Sequence, residues 1–124
     1  MEYRPIGAPR LRRVAGVAGI GDAGTLTFPI VVAAQTQAEL LLDYRVLHTG
    51  YPTLRFRGGK DAEIEIGYAE SLFDRAETGA KGHRDSVAGK LFVGYADRIV
   101  ADGGAGRSYT PLWWRTWRYV RLRV

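Results

Sequence analysis

The sequence contains no cysteine and only two histidines, His48 and His83. Without cysteine the chain has no disulfide, no thiolate metal ligand and no cysteine nucleophile, and its redox compartment cannot be inferred. Two histidines exclude a polyhistidine metal site. His83 lies in a glycine-rich segment where a lone histidine is ordinarily solvated, and no independent Ser–His–Asp arrangement supports it. We therefore expect no metal and no cofactor, and we assign no catalytic residue.

Long apolar runs are also missing. No segment approaches the ~20 residues that a membrane-spanning helix requires. The opening MEYRPIGAPRLRRVAG has arginines but no apolar stretch after them, so it lacks the pattern of a signal peptide. The sequence therefore favours no membrane partner and indicates no compartment.

Charge of one sign does not dominate the chain as a whole. There are 18 basic and 13 acidic residues, a formal net charge of +5. A basic protein suits polyanions such as nucleic acid. Here acidic residues lie between the basic ones, which favours a solvated, arginine-rich surface and no nucleic-acid partner.

Sixteen glycines divide the 124 residues into short segments, most of which alternate apolar and polar side chains. Alternation with a period of two, bounded by Gly, Asp and Pro, is typical of strands with one buried face. The length fits one domain. The pattern predicts an all-β fold, a sandwich or a barrel. The predicted strands lie within 24–32, 39–46, 52–58, 61–70, 90–100 and 116–124.

The same alternation predicts which side chains face the core and how the strands connect. Leu91, Val93 and Tyr95 share one face, and RGGKD at 57–61 is rich in turn formers, as in a hairpin connection. Residues 1–24 are expected to form an extended lead-in outside the packed domain. The polar span 74–90 is expected to be a functional or mobile loop. The predicted core residues are Leu54, Phe56, Ile64, Ile66, Val120 and Leu122.

The last fourteen residues, PLWWRTWRYVRLRV, concentrate tryptophan and arginine. A period of two places Val120, Leu122 and Val124 on the core face. An aromatic, cationic stripe on the other face indicates an interaction surface. It could dock a neighbouring protein domain, stack a sugar, bind single-stranded nucleic acid, or consist of cation–π pairs alone. Docking is favoured. The stripe contains Trp113, Arg115, Trp117, Tyr119 and Arg121.

Carboxylates cluster in the middle third of the chain. Glu63 and Glu65 lie on one strand face about 7 Å apart. A glycosidase needs two carboxylates across its scissile bond. Any solvated strand shows this spacing, so we interpret the pair as solubilising. Glu70, at the end of its strand, is predicted to clamp the following loop with Arg84.

Several motifs in a fixed order resemble the concanavalin-like β-sandwich domain of bacterial α-L-rhamnosidases. The similarity covers roughly residues 25–124. Two positions depart from the family pattern: Arg45 stands where many members have glycine, and His83 where asparagine is common. The matching elements are Asp43, Gly50, GYAE at 67–70, Lys–Gly–x–Arg–Asp at 81–85, DG at 102–103 and PLWWRTWRY at 111–119.

The resemblance implies a two-sheet antiparallel sandwich of the jelly-roll type and an accessory role in carbohydrate metabolism. In that family the sandwich precedes an α/α-barrel that carries the catalytic carboxylates. Residues 25–124 would then be a non-catalytic domain that packs against and orients a downstream barrel of the same polypeptide. The compartment would be that of the parent enzyme, bacterial cytoplasm or exported. An isolated docking face would self-associate. The alternative is a carbohydrate-binding module with its own site on the Trp/Arg stripe, which would bind a rhamnose-containing carbohydrate.

Overall fold

A computed structural model describes residues 7–17, 24–26, 28–73, 85 and 87–124. In this part of the chain no helix is long and apolar enough to cross a membrane. The strands are β1 (Arg10–Ala15), β2 (Gly24–Thr25), β3 (Glu39–Gly50), β4 (Leu54–Phe56), β5 (Glu63–Ala69), β6 (Tyr95–Val100), β7 (Arg107–Tyr109) and β8 (Arg115–Arg123).

The strands form two open sheets. Six of them lie in the order β2-β1-β3-β8-β5-β6, and β4 pairs with β7 in a separate two-stranded sheet. Every pairing between the named strands is antiparallel. The predicted all-β, antiparallel fold is therefore confirmed.

The main core lies on the face of the large sheet that the small sheet covers. Leu54 and Phe56 of β4 and Tyr109 of β7 pack against a buried cluster from the large sheet. The predicted inward residues of β5 and β8 belong to that cluster as well. All six core residues predicted from the alternation are therefore confirmed: Leu54 and Phe56 as partly buried members, and Ile64, Ile66, Val120 and Leu122 as buried ones.

Truncation of Leu122 tests this register. Leu122 lies between Leu40 of β3 and Ile66 of β5 and is 9% exposed. Leu122→Ala should lower the free energy of unfolding by about 2–5 kcal/mol, because it removes buried methyl groups and leaves a cavity. Leu112→Ala, at a fully exposed position, is the control and should change stability by less than about 0.5 kcal/mol. Equal urea midpoints for the two variants would contradict the register.

A second core lies on the opposite face of the large sheet. Leu41 and Tyr119 from the sheet and Leu72 from the chain after β5 are buried together, with Val87 and Phe92 packed against them. The central strands β3 and β8 therefore bury side chains on both faces. Predicting burial from a period of two assumes that one face of the strand is exposed to solvent. The pattern therefore cannot predict which side chains of β3 and β8 are buried.

Two predicted boundaries are wrong. Residues 10–15, placed in an extended lead-in, form β1 beside β3 with Leu11 buried. The register of β1 shifts between Leu11 and Arg13, and this irregularity breaks the alternation that would have identified the strand. Among the described residues of the strand predicted within 24–32, only Gly24–Thr25 lie in a strand. Pro29 has no N–H to donate to a ladder, and residues 28–33 lie outside any strand.

Two predicted features of the middle of the chain are also wrong. RGGKD is not a hairpin connection, because it leads from β4 in the small sheet to β5 in the large one. Leu91, Val93 and Tyr95 are exposed, although their alternation predicted an inward face. Regular strand structure begins only at Tyr95, so the strand period does not apply to Leu91 and Val93, and Tyr95 lies on the edge strand β6. The predicted mobile loop at 74–90 lies outside the described residues, except for residues 85 and 87–90.

Candidate functional site

The predicted Trp/Arg stripe is only partly on the surface. Trp117 and Tyr119 are 3% and 0% exposed, whereas Trp113 is 65% exposed. Arg115 and Arg121 are partly buried. The prediction of one exposed five-residue face is therefore wrong for Trp117 and Tyr119.

A bulge in the β3–β8 pairing lies next to Trp117, and the second core covers Tyr119. Tyr119 lies opposite Asp43, and Trp117 lies opposite His48. A separation of two positions along β8 therefore corresponds to five positions along β3. Arg45 lies within the bulge with a φ of 72°, a left-handed conformation that costs a non-glycine residue energy. Trp117 joins the main core with Val120, although strict alternation puts these two on opposite faces. Tyr119 lies in the second core.

The bulge also places a buried carboxylate among arginines. Asp43 is 1% exposed. It accepts hydrogen bonds from Nε and Nη2 of Arg118 at 2.9 and 3.1 Å and from Nη1 of Arg12 at 3.0 Å. The backbone N–H of Arg45 donates to its Oδ1 at 2.7 Å. Four donors thus compensate the cost of burying this charge.

The same arginines hold the chain after the undescribed residues 74–84. Arg118 also donates to the carboxylate of Asp85, and Nη2 of Arg12 donates to the Asp85 carbonyl at 2.9 Å. The neighbouring Arg13 donates to the carbonyl of Val87. Of the predicted Glu70–Arg84 clamp, Arg84 lies outside the described residues. Asp85, its neighbour in sequence, forms the described attachment.

Glu65 forms a second network, which corrects its interpretation as a solubilising side chain. Its side chain is 13% exposed and lies 2.9 Å from Arg121, 3.3 Å from Arg98 and 4.0 Å from Arg123. Glu63, on the same strand, is exposed. Three guanidinium groups around one carboxylate favour its charged form, so Glu65 is poorly suited to donate a proton as a general acid.

Both networks act on the pKa of their carboxyl group. Burial alone would raise the pKa of Asp43, but the hydrogen bonds from Arg118, Arg45 and Arg12 outweigh burial and lower it. Burial likewise opposes the hydrogen bond and charge of Arg121 at Glu65, whose pKa is also lowered. The folded structure therefore stabilises the ionised form of each carboxyl group relative to the unfolded chain.

These shifts predict acid-sensitive stability. A lowered folded-state pKa contributes stability above the ordinary values of 3.8 for Asp43 and 4.5 for Glu65, and this stability is lost as pH falls through the folded values. The free energy of unfolding should therefore be level near neutral pH and should fall progressively below about pH 4.5. Urea titrations at several pH values measure this dependence. Asp43→Asn should reduce the fall in the free energy of unfolding at acid pH. An unchanged fall would contradict the assignment of this pH dependence to Asp43.

An open cleft of about 560 Å³ lies where β5 leaves the large sheet. β5 pairs with β8 only as far as Ala69 opposite Tyr119, so the first residues of β8 have no β5 partner. The cleft lies between that part of β8 and the segments next to β5 and β6. Its lining consists of Tyr68, Ala69, Glu70, Ser71, Phe73, Val93, Gly94, Tyr95, Trp113, Trp114, Arg115 and Thr116.

The cleft combines exposed aromatic rings with buried hydroxyl groups. The rings of Trp113 and Trp114 lie 6.3 Å apart and are tilted by 33°. Within the described residues, Ser71 Oγ is buried without a hydrogen-bond partner, whereas the buried Tyr68 hydroxyl has the Asp97 carboxylate as its acceptor. Burial and the nearby Asp97 carboxylate raise the pKa of Tyr68, so its hydroxyl stays protonated. Sequence reasoning missed Ser71, because it belongs to no local motif that marks a site, and it noted Tyr68 only as a member of GYAE.

Charge in the cleft is compensated. Arg115 Nη2 lies 2.7 Å from Asp97 Oδ1, and its guanidinium carbon lies 5.8 Å from the centre of the Tyr68 ring. Among the described residues no three His, Asp or Glu side chains are grouped as a metal site requires.

Searches against protein-family models, curated proteins and solved structures found no match to this chain. The established description is therefore an all-β protein with antiparallel sheets, a buried carboxylate–arginine network and an aromatic cleft.

Proposed function

We propose that this chain is a non-catalytic accessory domain, of the concanavalin-like β-sandwich type, from an α-L-rhamnosidase-like glycoside hydrolase. It packs against and orients an α/α-barrel catalytic domain downstream in the same polypeptide. The observation that carries the proposal is the ion-pair network of Asp43, Asp85 and Arg118. These residues come from three separate motifs of the resemblance, and the pairs Asp43–Arg118 and Asp85–Arg118 are 75 and 33 residues apart in sequence.

The backbone at three further motif positions supports the proposal. A Cβ atom at Gly67 would lie 2.6 Å from the ring of Phe92, so a side chain there requires repacking. Gly103 of the DG motif has a φ of 85°, which favours glycine. Arg45 has a left-handed φ at the position where many family members carry glycine. The backbone thus favours glycine at Gly67 and Gly103, and also at position 45, where this chain has arginine.

The docking surface is assigned to the aromatic loop, residues Leu112, Trp113 and Trp114. Their exposed fractions are 100%, 65% and 46%. Large apolar side chains exposed side by side mark an interaction surface, and tryptophan is a favoured anchor of buried interfaces. Burying one such aromatic ring covers about 150–250 Å². The aromatic loop therefore replaces the five-residue stripe as the docking face.

Binding to the catalytic barrel tests the docking proposal. The downstream coding sequence should encode an α/α-barrel, and that barrel, expressed separately, should bind this chain in isothermal titration calorimetry. Leu112→Ser should weaken the binding. Val31→Ser, at a residue 80% exposed and outside the aromatic loop, is the matched control and should leave the binding unchanged. A downstream sequence without a barrel, or a barrel that does not bind, would overturn the proposal.

The isolated chain should show no hydrolase activity. Glu65, the more buried carboxylate of the Glu63–Glu65 pair, is surrounded by arginines that hold it as an anion. An assay with an aryl α-L-rhamnoside at high protein concentration should give no turnover above background. Turnover that disappears when a single carboxylate is mutated would contradict the accessory assignment.

The carbohydrate-binding alternative loses its predicted site on the stripe. Trp117 and Tyr119 are too buried to stack a sugar ring. Of the three aromatic residues of the stripe, only Trp113 keeps an exposed ring.

A further inference from the structure

We propose that the free edge of β6 accepts one extended segment of a partner protein as a further strand of the large sheet. The segment that fits this edge alternates apolar and polar side chains and carries a carboxylate at its centre. The surface is separate from the aromatic loop and shares only Tyr95 with the lining of the cleft. The inference rests on the direction of the backbone groups of β6, on its exposed side chains and on its charges, and it does not depend on a catalytic barrel.

β6 has a neighbouring strand on one side only. In the described part of the chain it pairs with β5 and ends the six-stranded sheet. Its residues, Tyr95–Val100, include no proline and pair with β5 without a shift of register. Proline and bulges are two devices that keep an edge strand from pairing further, and β6 has neither of them.

The hydrogen bonds of Ala101 show which backbone groups of β6 point away from β5. Its N–H donates to the carbonyl of Ala62 at 2.9 Å, and its carbonyl accepts from the N–H of Asp61 at 2.8 Å. Both groups therefore face the chain that leads into β5. Backbone groups of every second residue in an antiparallel strand face the same side, so those of the odd-numbered residues of β6 also face β5. The outward N–H and C=O groups belong to Ala96, Arg98 and Val100.

The side chains along this edge are open to a partner. Tyr95 at the start of β6 is 83% exposed, and Val100 at its end is 66% exposed. Ile99 is only partly buried against the main core. An added strand would cover apolar area at both ends of β6 and would extend the buried face of the large sheet beyond Ile99, while its backbone satisfies the outward groups.

The charges of β6 favour a carboxylate at the centre of the added strand. Arg98 lies 3.3 Å from Glu65, and its side chain is 69% exposed. Glu65 also pairs with Arg121 and Arg123, so it compensates Arg98 only in part. A carboxylate directly opposite Arg98 would form a cross-strand ion pair. Asp97 already pairs with Arg115 at 2.7 Å and requires no further cation.

The same charges disfavour a second copy of this chain as the added strand. Two copies of β6 related by a two-fold axis would pair antiparallel, with directly opposite side chains on the same face. The two registers that pair most of the strand are centred on Asp97 or on Arg98. Each register places the central charged side chain opposite its own copy, and like charges in this position are destabilising. The edge therefore selects against itself and retains the backbone groups that a different strand requires.

Titration of the isotope-labelled chain with a blocked hexapeptide, Thr-Val-Glu-Thr-Thr-Val, tests the inference. In an antiparallel alignment its glutamate lies opposite Arg98 and its valines lie opposite Ile99 and Tyr95. Millimolar peptide should slow the amide hydrogen exchange of Ala96, Arg98 and Val100, because their N–H groups gain acceptors. The amides of the odd-numbered residues of β6, which already face β5, should change little.

Arg98→Gln separates the charge from the backbone edge. The wild type should bind the glutamate peptide several-fold more tightly than the same peptide with lysine in place of glutamate, and Arg98→Gln should lose this preference. The substitution leaves the backbone N–H in place, and its position is exposed, so the fold should be retained. Arg55→Gln, at an exposed arginine of β4, is the matched control and should keep the preference.

Three results would overturn the inference. The first is the absence of added protection at the outward amides with millimolar glutamate peptide. The second is protection of these amides as the concentration of the chain alone rises, which would identify a second copy as the added strand. The third is equal affinity of the wild type for the two peptides. Leu112→Ser should weaken barrel docking without changing peptide binding, so failure of the proposed function is distinguished from failure of this inference.

Discussion

Asp43→Ala should lower the free energy of unfolding by about 3–5 kcal/mol, because removing one member of a buried ion-pair network leaves the others uncompensated. Arg118 and Arg12 would lose their shared acceptor while their side chains remain 11% and 18% exposed. The backbone N–H of Arg45 would lose its partner as well. Domains of this size are stable by about 5–15 kcal/mol, so the variant would lose a large fraction of its stability.

Asp43→Asn separates charge from shape in this network. The amide keeps the size of the side chain, yet it offers one oxygen instead of two to the arginines. Its stability should therefore fall between those of the wild type and Asp43→Ala. Urea denaturation followed by circular dichroism measures all three proteins.

The control for Asp43 is another aspartate–arginine pair. Asp102 binds Arg107 at 2.9 Å, but both side chains are more than half exposed. Asp102→Ala should cause little change, because exposed ion pairs contribute little to stability. Equal midpoints for Asp43→Ala and Asp102→Ala would refute the structural role of the Asp43 network.

Trp117→Ala is expected to cost about 3–5 kcal/mol, as truncation of a buried tryptophan typically does. Trp117 is 3% exposed and stacks with His48 at 5.9 Å between ring centres. It also lies 6.3 Å from the ring of Tyr68. Its loss would open a cavity in the main core at the point where β3 bulges.

Trp113→Ala is the matched control, since it removes the same side chain four residues earlier. Trp113 is 65% exposed, so its truncation should change stability by less than about 0.5 kcal/mol. If the aromatic loop mediates self-association in the absence of the catalytic barrel, sedimentation velocity should show weaker self-association of Trp113→Ala than of the wild type. Equal, small losses of stability for Trp113→Ala and Trp117→Ala would mean that both side chains lie on one exposed face, as the stripe predicted.

Local patterns were most informative where a strand has one buried face. Ile64 and Ile66 alternate with Glu63 and Glu65, and both isoleucines lie in the main core. A side-chain period of two is a property of any strand backbone, so the inward face follows directly from the sequence. The same rule failed at Trp117 and Tyr119, because β8 lies between β3 and β5 and has a core on each face.

Fewer residues of the candidate site than of the core could be predicted from the sequence. Trp113 and Arg115 were identified because aromatic and cationic residues are conspicuous in a short segment. Ser71 is an ordinary residue type, and only its burial without a partner makes it a candidate. That property depends on where β5 leaves the sheet, which no local pattern predicts.

The sequence by itself determined the all-β fold, the inward residues of β4 and β5 and the absence of cysteine chemistry, because these follow from backbone periodicity and residue type. The tertiary structure alone decided the partners of Asp43, the burial of Trp117 and the position of the cleft. Each of these depends on strand order and on the bulge opposite β8, which bring together residues up to 84 positions apart. Long-range pairing is set by the free energy of the whole packed sheet, and a short stretch of sequence contains little information about it.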